Sequence, residues 1–190
     1  MSGRLENKVA IVTGAASGFG EGMARRFAEE GARVVVADLN AREAERVAAE
    51  IGANAIFTAT DVTNRSQIDA MVYAAMQAFG RIDVMVNNAG FTHRSGDLLD
   101  VDEGTFDLIA DVNMKAIYFS TLAVVPIMER QGGGSIITTA STSGIRPQAG
   151  LTWYNASKGW AITATKSMAL ELAPKKIRVN CLCPVSGDTP

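Results

Sequence analysis

Short apolar runs alternate with stretches of helical periodicity along this chain. That rhythm constrains its fold more than any other feature. Strands are predicted over residues 9–13, 33–37, 55–60, 84–87, 134–140 and 178–182, and helices over 18–30, 41–51, 65–79, 103–129 and 153–173. Runs that are apolar throughout suit strands covered on both faces, as in a parallel sheet between two helical layers. The expected fold class is therefore α/β, a three-layer, doubly wound parallel sheet. Its strand order is expected to reverse beside the first strand, opening a crevice at the carboxyl ends of the strands. At 190 residues the chain suits one domain spanning 1–190, and 47% hydrophobic residues are enough for a sizeable core. No repeat, linker or low-complexity segment interrupts it.

The turn after the first strand is Thr13-Gly14-Ala15-Ala16-Ser17-Gly18-Phe19-Gly20. Glycine there lets a ligand approach the main chain. The helix that follows presents unpaired N–H groups and a positive dipole end, which suit a pyrophosphate. The spacing is Gly-x-x-x-Gly-x-Gly, not the more familiar Gly-x-Gly-x-x-Gly. Asp38 ends the second strand, where a carboxylate can accept hydrogen bonds from the adenosine ribose and would repel a 2′-phosphate. Leu39 follows it, and no Lys or Arg lies between Gly14 and Gly20. The residues favour NAD over NADP. Asp38 could instead only cap the next helix.

Tyr154 and Lys158 stand four apart, so on a helix they share a face. An unperturbed Tyr titrates near ~10, and a neighbouring cation favours its phenolate, so the pair is a candidate for proton transfer. Such a pair can also be plain packing beside a solvated charge, and the remaining motifs decide between the two.

Those motifs resemble the short-chain dehydrogenase/reductase family over nearly the whole chain, from about Lys8 to Thr189. Thr13 to Gly20 is similar to the family's cofactor turn, including Gly14, Ser17, Gly18, Phe19 and Gly20. Asp61-Val62 resembles the pair that contacts adenine, and Asn87-Asn88-Ala89-Gly90 the motif bordering the cofactor. Asn113, Ser141, Tyr154 and Lys158 match the family's catalytic tetrad, although Ser141 could instead only form a turn and Asn113 only break a helix locally. Pro184 and Thr189 match positions near the nicotinamide, although Val185 stands where the family usually has Gly. Among family members the chain looks closest to 3-oxoacyl-acyl-carrier-protein reductases and sugar or polyol dehydrogenases.

The resemblance implies a Rossmann-like fold and hydride transfer between NAD(H) and a small alcohol or carbonyl substrate. In that scheme Tyr154 exchanges the proton, Lys158 assists it and binds the nicotinamide ribose, Ser141 steadies the substrate oxygen, and Asn113 holds a relay water. It also implies a homo-oligomer, a dimer or tetramer. Relatives continue past this point, so the chain reads as C-terminally incomplete, lacking the last strand and the lid helices over the substrate. Two other functions fit parts of the pattern. One is an NAD(H) sensor or remnant without catalysis. The other is a methyltransferase-like nucleotide fold, in which Tyr154 and Lys158 would have no purpose.

Net charge is −2 with no basic cluster, and aromatics are 6%, so nucleic-acid binding has no footprint. The polar start, Met1 to Lys8, has no signal-peptide core. The apolar stretch around Ile117 to Met128 is broken by Ser120, Thr121 and Pro126 and reads as a buried helix or subunit contact, not a membrane span. His93 is read as facing solvent or substrate, and no metal site is expected. Cys181 and Cys183, one residue apart on a predicted strand, are expected to point to opposite faces and remain free thiols. These features fit a cytoplasmic protein.

Overall fold

The computed structural model describes residues 3–185. The strands are β1 (Val9–Thr13), β2 (Arg33–Asp38), β3 (Ala55–Ala59), β4 (Val84–Asn87), β5 (Gly134–Thr139) and β6 (Ile177–Leu182). The main helices are α1 (Gly18–Glu29), α2 (Ala41–Ile51), α3 (Arg65–Phe79), α4 (Glu103–Ala110), α5 (Ala116–Arg130) and α6 (Thr152–Leu172). One sheet takes the order β3-β2-β1-β4-β5-β6, and every pairing is parallel. This is the doubly wound, Rossmann-like arrangement, and its order reverses between β1 and β4 as expected.

Alternation along the strands divides the core. Val12, Val34, Val36 and Val86 pack on one face with Ala24, Ala44 and Val47 of α1 and α2. Ile11, Val35, Met85 and Ile136 pack on the other with Ile68 and Met71 of α3 and Val124 and Met128 of α5. Each large apolar side chain buried this way contributes roughly 1.5–3 kcal/mol. Side-chain caps fix several helix starts: Asn64 accepts from Ser66 N (3.0 Å) and Gln67 N (3.4 Å), and Asp102 accepts from Thr105 N (2.8 Å).

The single helix expected over 103–129 is two helices joined by a π turn, Asp111–Lys115. An 18-residue window within the run Glu103–Arg130 has a mean hydropathy of 1.4, and the run is long enough to cross a bilayer. In the fold it belongs to the helical layer on one face of the sheet, with Ile109, Val124 and Met128 buried and Tyr118 and Leu122 exposed. Among the described residues β6 is an edge strand with only β5 beside it.

The expectation for the cysteines is corrected. Residues two apart on a strand point to the same face. Cys181 and Cys183 accordingly pack together against one cluster, with Ala140, Ala161 and Met168. Both are half-buried free thiols.

Candidate active site

Because all six strands run the same way, their carboxyl ends meet along one rim. The glycine turn follows β1, Leu39 follows β2, Asp61 lies beyond β3, Asn88 follows β4, Ser141 lies beyond β5 and Pro184 beyond β6. A cavity of about 650 Å³ opens there. It is lined by Gly14, Ser17, Gly18, Phe19, Asp38, Leu39, Asp61, Val62, Asn88, Ala89 and Gly90, and by Ser141, Tyr154, Lys158 and Pro184.

Local contacts explain the glycine turn. Gly14 has φ +62°, and a β-carbon on it would lie 2.9 Å from Ala89 Cα. A β-carbon on Gly20 would lie 2.0 Å from the Gly14 carbonyl oxygen. Both positions therefore need glycine. Gly20 does not line the cavity; its smallness lets α1 close against the turn. Ser17 starts α1 without a capping bond from its side chain, so the positive end of a 12-residue helix faces the cavity. Asp38 braces the turn: one carboxylate oxygen accepts from Ala16 N and the other from Asn40 N, each at 2.9 Å. Asn88 ties the rim together by donating to the carbonyls of Thr13 (3.0 Å) and Gly14 (3.1 Å) and accepting from Thr139 Oγ1 (3.1 Å). Asp61 accepts from the backbone and hydroxyl of Thr63, at 2.9 and 2.7 Å.

At the other end of the cavity, Lys158 Nζ lies 5.7 Å from the centre of the Tyr154 ring. It donates to the Thr139 carbonyl at 2.9 Å. Lys158 is 5% exposed, and burial pushes its ammonium down to about 8. Ser141 Oγ accepts from Ser143 N (3.1 Å), which leaves its hydroxyl hydrogen available to donate. Asn113 is 2% exposed and sits behind the cavity wall, in the π turn. Its Oδ1 accepts from Phe91 N (2.9 Å), and its Nδ2 donates to Phe91 O (2.8 Å) and Ser157 Oγ (2.9 Å). Ser157 in turn donates to Tyr154 O at 2.7 Å. Asn113 and Lys158 converge on Gly90, where a β-carbon would lie 3.6 Å from Asn113 Oδ1 and 3.3 Å from Lys158 Nζ.

A family model described as short chain dehydrogenase matches residues 8–190. The chain belongs to the short-chain dehydrogenase family. It is 46% identical over 189 residues to 4-formylbenzenesulfonate dehydrogenase of Comamonas testosteroni, covering 98% of this chain and 75% of that protein. It is 43% identical over 188 residues to galactitol 2-dehydrogenase of Agrobacterium fabrum, covering 97% and 73%. Its fold matches the crystal structure of 3-ketoacyl-(acyl-carrier-protein) reductase from Brucella melitensis complexed with NADH at a TM-score of 0.97. That pair is 47% identical, over 98% of this chain and 78% of the other. At the level of the family, the chain is an oxidoreductase of the kind that uses a nicotinamide cofactor and a small-molecule substrate.

The short-chain dehydrogenase cavity has walls that the sequence reading missed. Phe91 and Thr92 lie just past Gly90, and Leu108 and Val112 stand four apart near the end of α4. The 108/112 spacing was visible, but nothing in it distinguished a cavity wall from core. The Thr139 carbonyl that holds Lys158 has no side-chain signature at all. Val185, the departure from the family's glycine, also lines the cavity. Among the described residues only Asn7 and Lys176 combine a side chain with positive φ, so the backbone at Val185 accommodates a β-branched residue. Thr189 lies outside the described residues.

Proposed function

We propose that the chain is an NAD(H)-dependent oxidoreductase acting on a secondary alcohol and its ketone, with Tyr154, Lys158, Ser141 and Asn113 as its catalytic set. The observation that carries this reading is one cavity holding both the glycine turn with Asp38 and the Tyr154–Lys158 pair with Ser141. A nucleotide sensor has no use for the second group.

The cavity suits an extended dinucleotide. The open N-terminus of α1 fits its pyrophosphate. Asp38, with Leu39 beside it, would attract ribose hydroxyls and repel a 2′-phosphate, which favours NAD. Asp61 and Val62 border the adenine end. Bound NAD(H) supplies or accepts the hydride. Tyr154 gives its proton to the carbonyl oxygen in reduction and takes one from the alcohol in oxidation. The buried Lys158 cation stabilises negative charge at the phenol oxygen as that proton leaves. The free hydroxyl hydrogen of Ser141 donates to the substrate oxygen as charge develops there. Asn113 fixes the Phe91 turn and, through the remaining lone pair of Oδ1, can hold a water between itself and Lys158.

Relatives named for 3-oxoacyl and polyol substrates support a carbonyl–alcohol pair as the substrate class. The reading includes a homo-oligomer, since Tyr118 and Leu122 on α5 and Trp160 on α6 leave large apolar surface exposed. It also includes a cytoplasmic location, where Cys181 and Cys183 stay reduced.

Tyr154→Phe tests the assignment. It is expected to remove turnover of secondary alcohols with NAD⁺ while leaving NADH binding, followed by fluorescence, within about twofold, because the phenyl body is kept. Turnover at the wild-type level in this variant would strike Tyr154 from the mechanism.

A further inference from the structure

We propose that Cys181 and Cys183 form a reversible thiol switch, oxidised to an intrachain disulfide that displaces the turn carrying Ser141. The proposal depends on the oxidoreductase reading only for its activity measurement.

The two thiols lie on the same face of β6 and its extension and pack against one apolar cluster, beside the backbone of Ser141. Neither residue is sealed in the core. Two residues of strand span ~6.6 Å between Cα atoms, at the upper end of the ~4.4–6.8 Å that disulfides bridge. Closing the bond therefore draws the two positions together and turns the peptide of Leu182 between them. That peptide is not free to turn without consequence, because the Leu182 carbonyl accepts from Ala140 N at 2.8 Å. Two residues on, the Pro184 carbonyl accepts from Thr142 N at 3.1 Å. Ser141 is held between these two bonds, and the β6 backbone that supplies both carries the thiols. A small change in this backbone is passed directly to the Ser141 hydroxyl.

The chemistry balances with a peroxide as oxidant. One thiolate attacks the O–O bond, giving a sulfenic acid and one water. The second thiol displaces the hydroxyl as another water and closes the S–S bond. The two thiols lose two electrons and two protons, and the peroxide is reduced to two waters. A dithiol reverses the change by exchange. Burial, and then the adjacent Cys181 thiol, push the Cys183 thiol above its ordinary value, which lowers its thiolate fraction and slows its attack on a peroxide. The Lys166 ammonium on α6 acts in the opposite direction and favours the thiolate.

The test treats the protein with hydrogen peroxide and then with dithiothreitol. Peptide mapping is expected to find a Cys181–Cys183 disulfide and the loss of two hydrogens. Hydrogen exchange is expected to quicken at Ala140 and Thr142. Turnover is expected to fall at least tenfold, within the ~10²-fold that a misplaced catalytic group costs. Dithiothreitol is expected to restore all three. Cys181→Ser and Cys183→Ser are each expected to keep basal turnover and resist this inactivation. Absence of the disulfide under conditions that oxidise the thiols of the urea-unfolded protein overturns the proposal. So does a disulfide that leaves exchange and turnover unchanged, or oxidation that stops at sulfinic acid. A protein with no turnover before treatment refutes the oxidoreductase reading, and the mapping and exchange measurements still judge the switch.

Discussion

Replacing Lys158 with Met separates the electrostatic cost of the site from its packing. Lys158 is 5% exposed, and its only hydrogen bond among the described residues is to a neutral carbonyl, that of Thr139. Burial lowers its pKa from 10.5 to about 8 in the folded protein. Below pH 8 the side chain is charged in both the folded and unfolded states, so folding bears the full desolvation cost. Between about 8 and 10.5 the unfolded chain binds a proton that the folded chain has released, so stability rises with pH. At about 1.4 kcal/mol per pH unit, that window amounts to on the order of 3 kcal/mol. Above 10.5 there is no further gain. Lys158→Met removes this titration while roughly keeping the volume and the apolar stem. Urea unfolding of both proteins without cofactor, at several values between pH 7 and 10.5, gives a difference curve in which the other titrating groups cancel. The wild type is expected to gain about 2–3 kcal/mol on the variant across that range. A loss of the Thr139 hydrogen bond shifts the curve without tilting it. A flat or falling difference curve would refute the claim that burial holds this ammonium at a cost.

Asp38→Ala is expected to move the ratio of kcat/KM for NAD⁺ over NADP⁺ at least tenfold toward NADP⁺, about 1.4 kcal/mol; paired steady-state assays check this, and an unchanged ratio counts against Asp38 as the discriminating group. Gly20→Ala drives a β-carbon to within 2.0 Å of the Gly14 carbonyl oxygen. Its expected effects are a loss of about 1–3 kcal/mol in urea unfolding and NADH binding weakened more than tenfold. Asn113→Ala leaves both backbone groups of Phe91 without their partner and removes the donor to Ser157 Oγ, which keeps its own bond to Tyr154 O. A loss of about 2–4 kcal/mol is expected, read from the same unfolding assay.

Much of the fold was legible because its signals are local. Val9 to Thr13 and Arg33 to Ala37 are apolar at nearly every position, which only a strand covered on both faces requires. The glycine turn could be placed from the strand before it and the helix after it. Boundaries moved by a residue or two: β5 stops at Thr139 and β6 starts at Ile177. The π turn at Asn113 was legible only as a local helix break, since an inserted residue changes neither composition nor apolar spacing enough to be read. The Cys181–Cys183 face followed from strand alternation and was misassigned until the packing around Ala140 and Met168 corrected it.

By itself the sequence determined the order of the elements and which residues end each strand, because periodicity and turn chemistry act over a few neighbours. It thereby selected most, but not all, of the residues that line the cavity. Only the tertiary structure decided how those ends are held relative to one another. The Thr139 carbonyl fixes Lys158, Asn113 is committed to Phe91 and Ser157, and the Leu182 and Pro184 carbonyls bracket Ser141. Each of these bonds joins segments distant in sequence, and all but the one between Asn113 and Ser157 use a backbone group on at least one side. Backbone groups are the same at every position and leave no mark in a sequence.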